Sequence, residues 1–157
     1  MGRRRRVGPP LLDPPAFVVD ASVVAKWGFP EPSSGAASRL LAARAAGHIA
    51  LIAPDLLVPE LGALCRRKAR AGDVTPEAVA ELFALMLAVA PELVRSDEVA
   101  RPALALALRH GRPFAEMVHL ALALRETCPY VTADERLVGV LASSFPCVRY
   151  VADVALP

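Results

Sequence analysis

Short, unbroken apolar runs that alternate with helical stretches constrain this chain more than any other feature. Ala16-Phe17-Val18-Val19 is too short for a helix and presents no polar face, the mark of a strand buried on both sides. The pattern returns at residues 48–53, closed by Pro54, at Tyr130–Thr132 and at 147–151, with a weak further candidate at Leu93-Val94. The segments between carry helix punctuation. Ser33-Ser34 can cap a helix that runs to about residue 46 and stops at Gly47. Asp55 can cap one over 56–70 that stops at Gly72. Thr75-Pro76-Glu77 supplies a cap, a proline in the first turn and an acid beside it, opening a helix to about residue 90. Further helices are expected over 97–109, over 113–126 and over 135–142, while 21–27 begins helically and breaks at Gly28-Phe29-Pro30. Apolar strands separated by helices pair in parallel, so the expected fold is α/β with helices on both faces of one sheet.

At 157 residues, 55% hydrophobic but only 5% aromatic, the chain has the size of one domain and a core built from Ala, Leu and Val. Residues 1–15, rich in Arg, Pro and Gly, read as a disordered tail, and 16–157 as the folded domain. Cys65, Cys128 and Cys147 are odd in number, widely spaced and without a C-x-x-C pair. They read as small core residues in a reducing compartment rather than a disulfide frame or a zinc site. No apolar run approaches the roughly 18 residues of a membrane span. The N-terminal arginines precede no apolar segment, so a cytoplasmic location is expected. A net charge of +2 does not by itself call for nucleic acid. Arg3 to Arg6 read as a solvated tail, and Arg66, Arg67, Lys68 and Arg70 as a solvated helix face.

Function in open parallel sheets gathers beyond the carboxyl ends of the strands. Asp20 follows the first run directly and Asp134 follows Tyr130–Thr132 after one alanine, so both stand at that edge, where acids also serve as ordinary turn residues. Glu60 lies three residues after Leu57 and four before Leu64, inside the apolar stripe of its helix. Glu116 has Leu120 and Ala123 at i+4 and i+7. A carboxylate in such a stripe needs a partner, because removing water from the charge is costly. One solution is an arginine for each, with Arg112 the local choice for Glu116. The other is a shared cation: converging acids raise one another's pKa unless a cation offsets them, and an all-oxygen set suits Mg²⁺ or Mn²⁺. Ser22 and Thr132, each two residues from a strand-end acid, could hold a carboxylate or water in position, or simply cap and pack.

With these residues the chain resembles the PIN-domain ribonucleases, and more narrowly the VapC-type toxins of toxin–antitoxin pairs. Val18-Val19-Asp20-Ala21-Ser22-Val23 is similar to the family's opening strand with its first acid, and the segment from Ala53 to Leu61 to the one bearing the second, Glu60. The segment from Pro113 to Ala123 is similar to the helix bearing the third acid, and Val131-Thr132-Ala133-Asp134-Glu135-Arg136-Leu137 to the segment bearing the fourth. The likeness runs in order and spacing over about residues 16–155. One position departs: the third acid is usually Asp, and here it is Glu116, whose longer arm keeps the charge but carries its oxygens outward.

The resemblance implies a three-layer α/β/α sandwich around a central parallel sheet of four or five strands. It implies a homodimer, RNA as substrate and a VapB-type antitoxin that blocks the site. It also implies Asp20, Glu60, Glu116 and Asp134 as the catalytic, metal-holding set, with Glu135 as a further ligand through water. In that reading the metal activates water for attack on a phosphodiester, and no histidine base is required; His119 could face either the site or the core, with the core favoured. Lys26, Arg112 and Arg136, nearest in sequence to the four motifs, are candidates to contact RNA phosphate.

Other classes compete. A phosphoacceptor or phosphatase wants a second acid just after the first strand or a lysine late in the chain, but Ala21-Ser22 follow Asp20 and no lysine occurs beyond 68. A nucleotide-binding module wants a glycine-rich loop after the first strand, which is missing. A PIN-fold RNA- or protein-binding module with a degraded metal site stays open, because of Glu116.

Overall fold

The computed structural model describes residues 14–157, so the Arg- and Pro-rich tail expected over 1–15 lies, but for Pro14 and Pro15, outside the described residues. The elements are, in chain order, β1 (Ala16–Val19), α1 (Ala21–Gly28), α2 (Ser34–Ala45), β2 (Ala50–Pro54), α3 (Leu57–Ala71) and α4 (Pro76–Ala88). There follow β3 (Glu92–Val94), α5 (Ala100–His110), α6 (Phe114–Glu126), β4 (Tyr130–Thr132), α7 (Glu135–Leu141) and β5 (Val148–Tyr150). The five strands pair in parallel in the order β3-β2-β1-β4-β5. The weak candidate at Leu93-Val94 is thus the edge strand β3, paired with β2 alone.

Side-chain alternation along the strands divides the core in two. Phe17, Val19, Leu51, Ala53 and Val131 face a layer built from α1 to α4, with Val24, Leu40, Leu57, Leu61 and Met86 against them. Val18, Ile52, Tyr130 and Val148 face the opposite layer, where α5, α6 and α7 contribute Ala103, Met117, Leu120 and Leu137. Small alanines and branched aliphatics let the short strands and helices approach closely, which an aromatic-rich core would not. This is the expected α/β/α sandwich, and its two faces follow from handedness. Crossovers between parallel strands are right-handed. The chain winds one way from β1 through β2 to β3 with its helices on one face, then reverses to reach β4 and β5 with its helices on the other. The reversal lies between β1 and β4.

Three helix starts differ from expectation, two of them because the proposed capping side chains are taken up by other partners. Asp55 does not cap α3; β3 lies beside β2, and Asp55 Oδ1 instead accepts the backbone N–H of Ser96 at 3.1 Å, tying the exits of these two strands together. Neither Ser33 nor Ser34 caps α2: Ser33 Oγ pairs with the Tyr150 hydroxyl at 2.6 Å, and Ser34 Oγ accepts the Glu31 N–H at 2.8 Å. The third, α5, starts at Ala100 rather than at 97, after a 3-10 turn over Ser96–Glu98 in which Asp97 pairs with Arg95. Thr75 does cap α4, accepting from the Ala78 N–H at 3.3 Å. Gly72 and Gly111 end α3 and α5 with φ of 81° and 59°, a left-handed turn open to glycine without a Cβ penalty. Among the described residues no helix is long and apolar enough to cross a membrane.

Leu120 is fully buried on α6, the helix that carries the second layer against the sheet. Leu120→Ala should cost about 2–5 kcal/mol of stability. A urea titration checks this: the midpoint should fall with an unchanged slope. A loss below about 1 kcal/mol would show that α6 is not packed as described.

Candidate active site

The reversal between β1 and β4 opens a crevice, because the chain leaves β1 toward one layer of helices and β4 toward the other. Asp20 and Asp134 occupy these two exits, and each is the cap of the helix that follows. Asp20 Oδ1 accepts the backbone N–H groups of Ser22 at 3.0 Å and Val23 at 3.3 Å, and the Ser22 hydroxyl as well. Asp20 Oδ2 accepts the Tyr130 hydroxyl at 3.0 Å. Asp134 Oδ1 accepts the N–H groups of Arg136 at 2.9 Å and Leu137 at 3.2 Å. Capping fixes both carboxylates to the backbone and leaves little rotamer freedom to lose on binding.

Ser22 and Thr132 join the two exits. The Ser22 hydroxyl proton goes to Asp20, so its oxygen accepts from the Ala133 N–H at 2.9 Å and from the Thr132 hydroxyl at 3.3 Å. Thr132 in turn accepts the Asp134 N–H at 3.1 Å. A continuous path of hydrogen bonds therefore runs from the Asp134 backbone to the Asp20 carboxylate across the mouth of the sheet.

Glu60 and Glu116 reach the same cleft from the helices. Glu60, Ala63, Leu64 and Arg67 line it at i, i+3, i+4 and i+7 on α3; Glu116 and His119 line it at i and i+3 on α6. With Asp20, Ser22, Tyr130 and Asp134 they enclose a volume of about 290 Å³. Glu116 is held by Arg112, whose Nε and Nη2 donate to a single oxygen at 3.1 and 2.7 Å. The arginine solution is therefore realised for Glu116. It is not realised for Glu60, whose neighbour is the buried His119, with Nε2 at 3.6 Å. Burial, then the charges of Asp20 and Glu116, push the Glu60 carboxyl up from its ordinary 4.5 to about 7. Burial holds His119 below its usual value. Burial and Asp20 raise Tyr130 well above the phenol range, so its O–H remains a donor. Among the described residues no three His, Cys, Asp or Glu side chains stand ready to clasp an ion as they are.

Several expected contacts fall elsewhere. Lys26 is not free for phosphate: its ammonium donates to Glu31 Oε2 at 3.2 Å and to the Pro32 carbonyl at 2.8 Å, and Lys68 also pairs with Glu31. Arg112 is likewise taken up by Glu116. Glu135 lies outside the four-acid cleft; as the residue after the Asp134 cap it turns toward an adjoining depression lined by Lys26, Arg136 and Tyr150. Arg136 is exposed there and is in no ion pair among the described residues. Two residues of the cleft, Arg67 and Tyr130, escaped the sequence reading. Arg67 sat inside a basic run taken as solvated, although its i+7 spacing from Glu60 could have singled it out. Tyr130 looked like a strand residue, and its need for a buried hydroxyl partner was the signal. His119 is both in the core and on the cleft.

The PIN-domain family model matches residues 17–140. The chain belongs to the PIN-domain family. PIN domains are in general nucleases and typically use divalent metal ions. Two solved structures share the fold. PAE2754 of Pyrobaculum aerophilum superimposes with a TM-score of 0.62 at 21% identity, covering 88% of this chain and 92% of that one. VapC20 of Mycobacterium tuberculosis, a toxin that cleaves the sarcin-ricin loop, superimposes with a TM-score of 0.57 at 16% identity, covering 78% and 93%. No curated protein matches in sequence. The four acids of this PIN domain fall on the β1 exit, α3, α6 and the β4 exit, all within the matched span, and they line one cleft.

The raised Glu60 pKa has a definite sign. Below its ordinary 4.5 the carboxyl is neutral in folded and unfolded chains alike; between 4.5 and about 7 it is charged in the unfolded chain but not in the folded one, so stability falls across that window and levels off above it. Glu60→Gln, neutral throughout, should therefore melt at a higher temperature than the parent at pH 8 in metal-free buffer, with the gap closing toward pH 4.5. Equal melting temperatures at pH 8 would show that burial and the neighbouring charges do not raise the Glu60 pKa.

Proposed function

We propose that this PIN domain is a metal-dependent endoribonuclease, using Mg²⁺ or Mn²⁺, and the toxin of a VapBC-type pair. The observation that carries this reading is the meeting of Asp20, Glu60, Glu116 and Asp134, from four separate segments, on one cleft at the strand-order reversal. The donor set suits a hard divalent cation, being almost wholly oxygen, and the pressure on Glu60 is what such a cation would relieve. The two strand-end aspartates are fixed, whereas Glu60 and Glu116 sit on long side chains at helix faces and can close around an ion once Arg112 releases Glu116.

Held by these carboxylates, a divalent cation supplies Lewis acidity that makes water a nucleophile near neutral pH and offsets charge developing on the phosphate. The chain's own residues do the rest. Ser22, Val23 and Tyr130 orient Asp20 by donating to both its oxygens. Glu60, from the α3 wall, would add a carboxylate to the set that holds the cation. Arg67 on the cleft wall and Arg136 beside Asp134 are placed to neutralise RNA phosphates on either side of the scissile bond. RNA as substrate and a VapB-type antitoxin as partner are carried over from the family likeness, with VapC20 as a fold neighbour that acts on RNA. A homodimer is supported by Leu104 and Leu108, at i and i+4 on α5 and exposed at 51% and 77%, an apolar face that association would cover.

Asp20→Asn tests the reading, since it removes the charge and keeps the shape. Cleavage of RNA in Mn²⁺ should fall about 100-fold or more. The rise in melting temperature that Mn²⁺ gives the parent should also disappear. A well-folded Asp20→Asn that cleaves like the parent would remove Asp20 from the mechanism. A second reading, a PIN-fold binding module with a degraded site, is favoured by the Arg112–Glu116 pair alone. Arg112→Gln separates the two: in a live site the freed Glu116 tightens Mn²⁺ binding, and in a degraded one it leaves Mn²⁺ without effect.

A further inference from the structure

Among the described residues, one buried side-chain polar atom has no hydrogen-bond partner: Nε2 of His119. The residue is 1% exposed, yet it lines the four-acid cleft. Its other ring nitrogen, Nδ1, lies 3.1 Å from the Ala115 carbonyl oxygen. A carbonyl can only accept, so Nδ1 carries the proton and Nε2 presents a bare lone pair. The ring is also fixed in orientation, stacked on Tyr130 at 5.6 Å between centroids and 14° between planes, and Tyr130 is the residue that donates to Asp20. A leucine in this position of α6 would fill the space and leave nothing unpaired.

We propose that His119 Nε2 is a metal ligand, a single nitrogen donor that joins the carboxylates of the cleft. The inference rests on the metal-dependent reading above. Histidines that bind metals commonly donate the remote N–H to a carbonyl or carboxylate, which sets the tautomer and the ring orientation. The Ala115 contact does this here. The spacing agrees. Donors bonded to one ion at about 2.0–2.2 Å stand about 3.0–3.5 Å apart. Nε2 and Glu60 Oε2 are 3.6 Å apart, too far for a hydrogen bond and close to that separation. One imidazole among carboxylates shifts the site's preference from Mg²⁺ toward first-row transition metals. It also assigns Glu60 as the helical carboxylate that shares an ion with His119, since its Oε2 stands 3.6 Å from Nε2.

Pulsed EPR of the Mn²⁺-loaded full chain tests this directly. The parent should show nitrogen modulation from a directly bound nitrogen, which changes to the ¹⁵N pattern when histidine alone is ¹⁵N-labelled. His119 is the histidine that lines the cleft; His48 and His110 do not. His119→Phe should still bind Mn²⁺ but lose the modulation, and its preference for Co²⁺ over Mg²⁺ should drop about tenfold or more. Bound Mn²⁺ without histidine-derived modulation overturns the ligand role and leaves the metal-dependent reading standing. Modulation that survives in His119→Phe overturns it as well. A parent that binds no Mn²⁺ at all overturns both. If His119→Phe does not fold, the labelled parent decides alone.

Discussion

Like charges confined to one cleft set the terms for the rest of this fold. The sheet reverses its winding between β1 and β4, and the reversal brings the exits of those strands to a common crevice. Asp20 and Asp134 are anchored there by the first turns of α1 and α7, so neither can swing away without uncapping a helix. Glu60 and Glu116 arrive on helices packed against opposite faces of the sheet. Without an ion the molecule settles these charges by three different means. Asp20 collects hydrogen-bond donors on both oxygens, Glu116 takes an arginine, and Glu60 moves its pKa toward neutrality.

Those three means differ in how readily they yield. The donors on Asp20 belong to the backbone, to Ser22 and to Tyr130, and they hold the carboxylate in place whether or not a cation is present. The Arg112–Glu116 pair is partly open to solvent and lies within about one helical turn, so Glu116 can be exchanged to another partner. Glu60 has no partner to lose. The cleft therefore combines a rigid wall at the strand ends with two adaptable carboxylates on the helices, a division suited to closing around an ion and a substrate phosphate.

Much of the fold was legible because strand burial leaves an unambiguous mark. Four residues without a polar face at 16–19, and again before Pro54 and at 130–132, dictate parallel pairing, and parallel pairing dictates helical crossovers and a functional edge. The family likeness found in the ordered acids agrees with the matched PIN-domain model. Helix starts were less legible, because a capping residue is recognised by type alone and Asp55 and Ser33 each had a better partner elsewhere in the folded chain. Within the cleft, the acids could be located one by one, but not the company they keep. Whether Glu116 would meet Arg112 depended on a rotamer, and Arg67 was hidden among basic neighbours. Only the packing of α6 on β4 reveals that His119 turns a lone pair toward the acids.

The central claim is that the acids of this cleft are arranged around a place for a cation. Anomalous diffraction from a crystal of the full chain grown with Mn²⁺ measures that most directly. The account predicts a single strong anomalous region in the cleft, bounded by Asp20, Glu60 and Asp134, with Glu116 released from Arg112. Clear density for the cleft with no anomalous signal in it, and Glu116 still clamped by Arg112 at saturating Mn²⁺, would contradict the account.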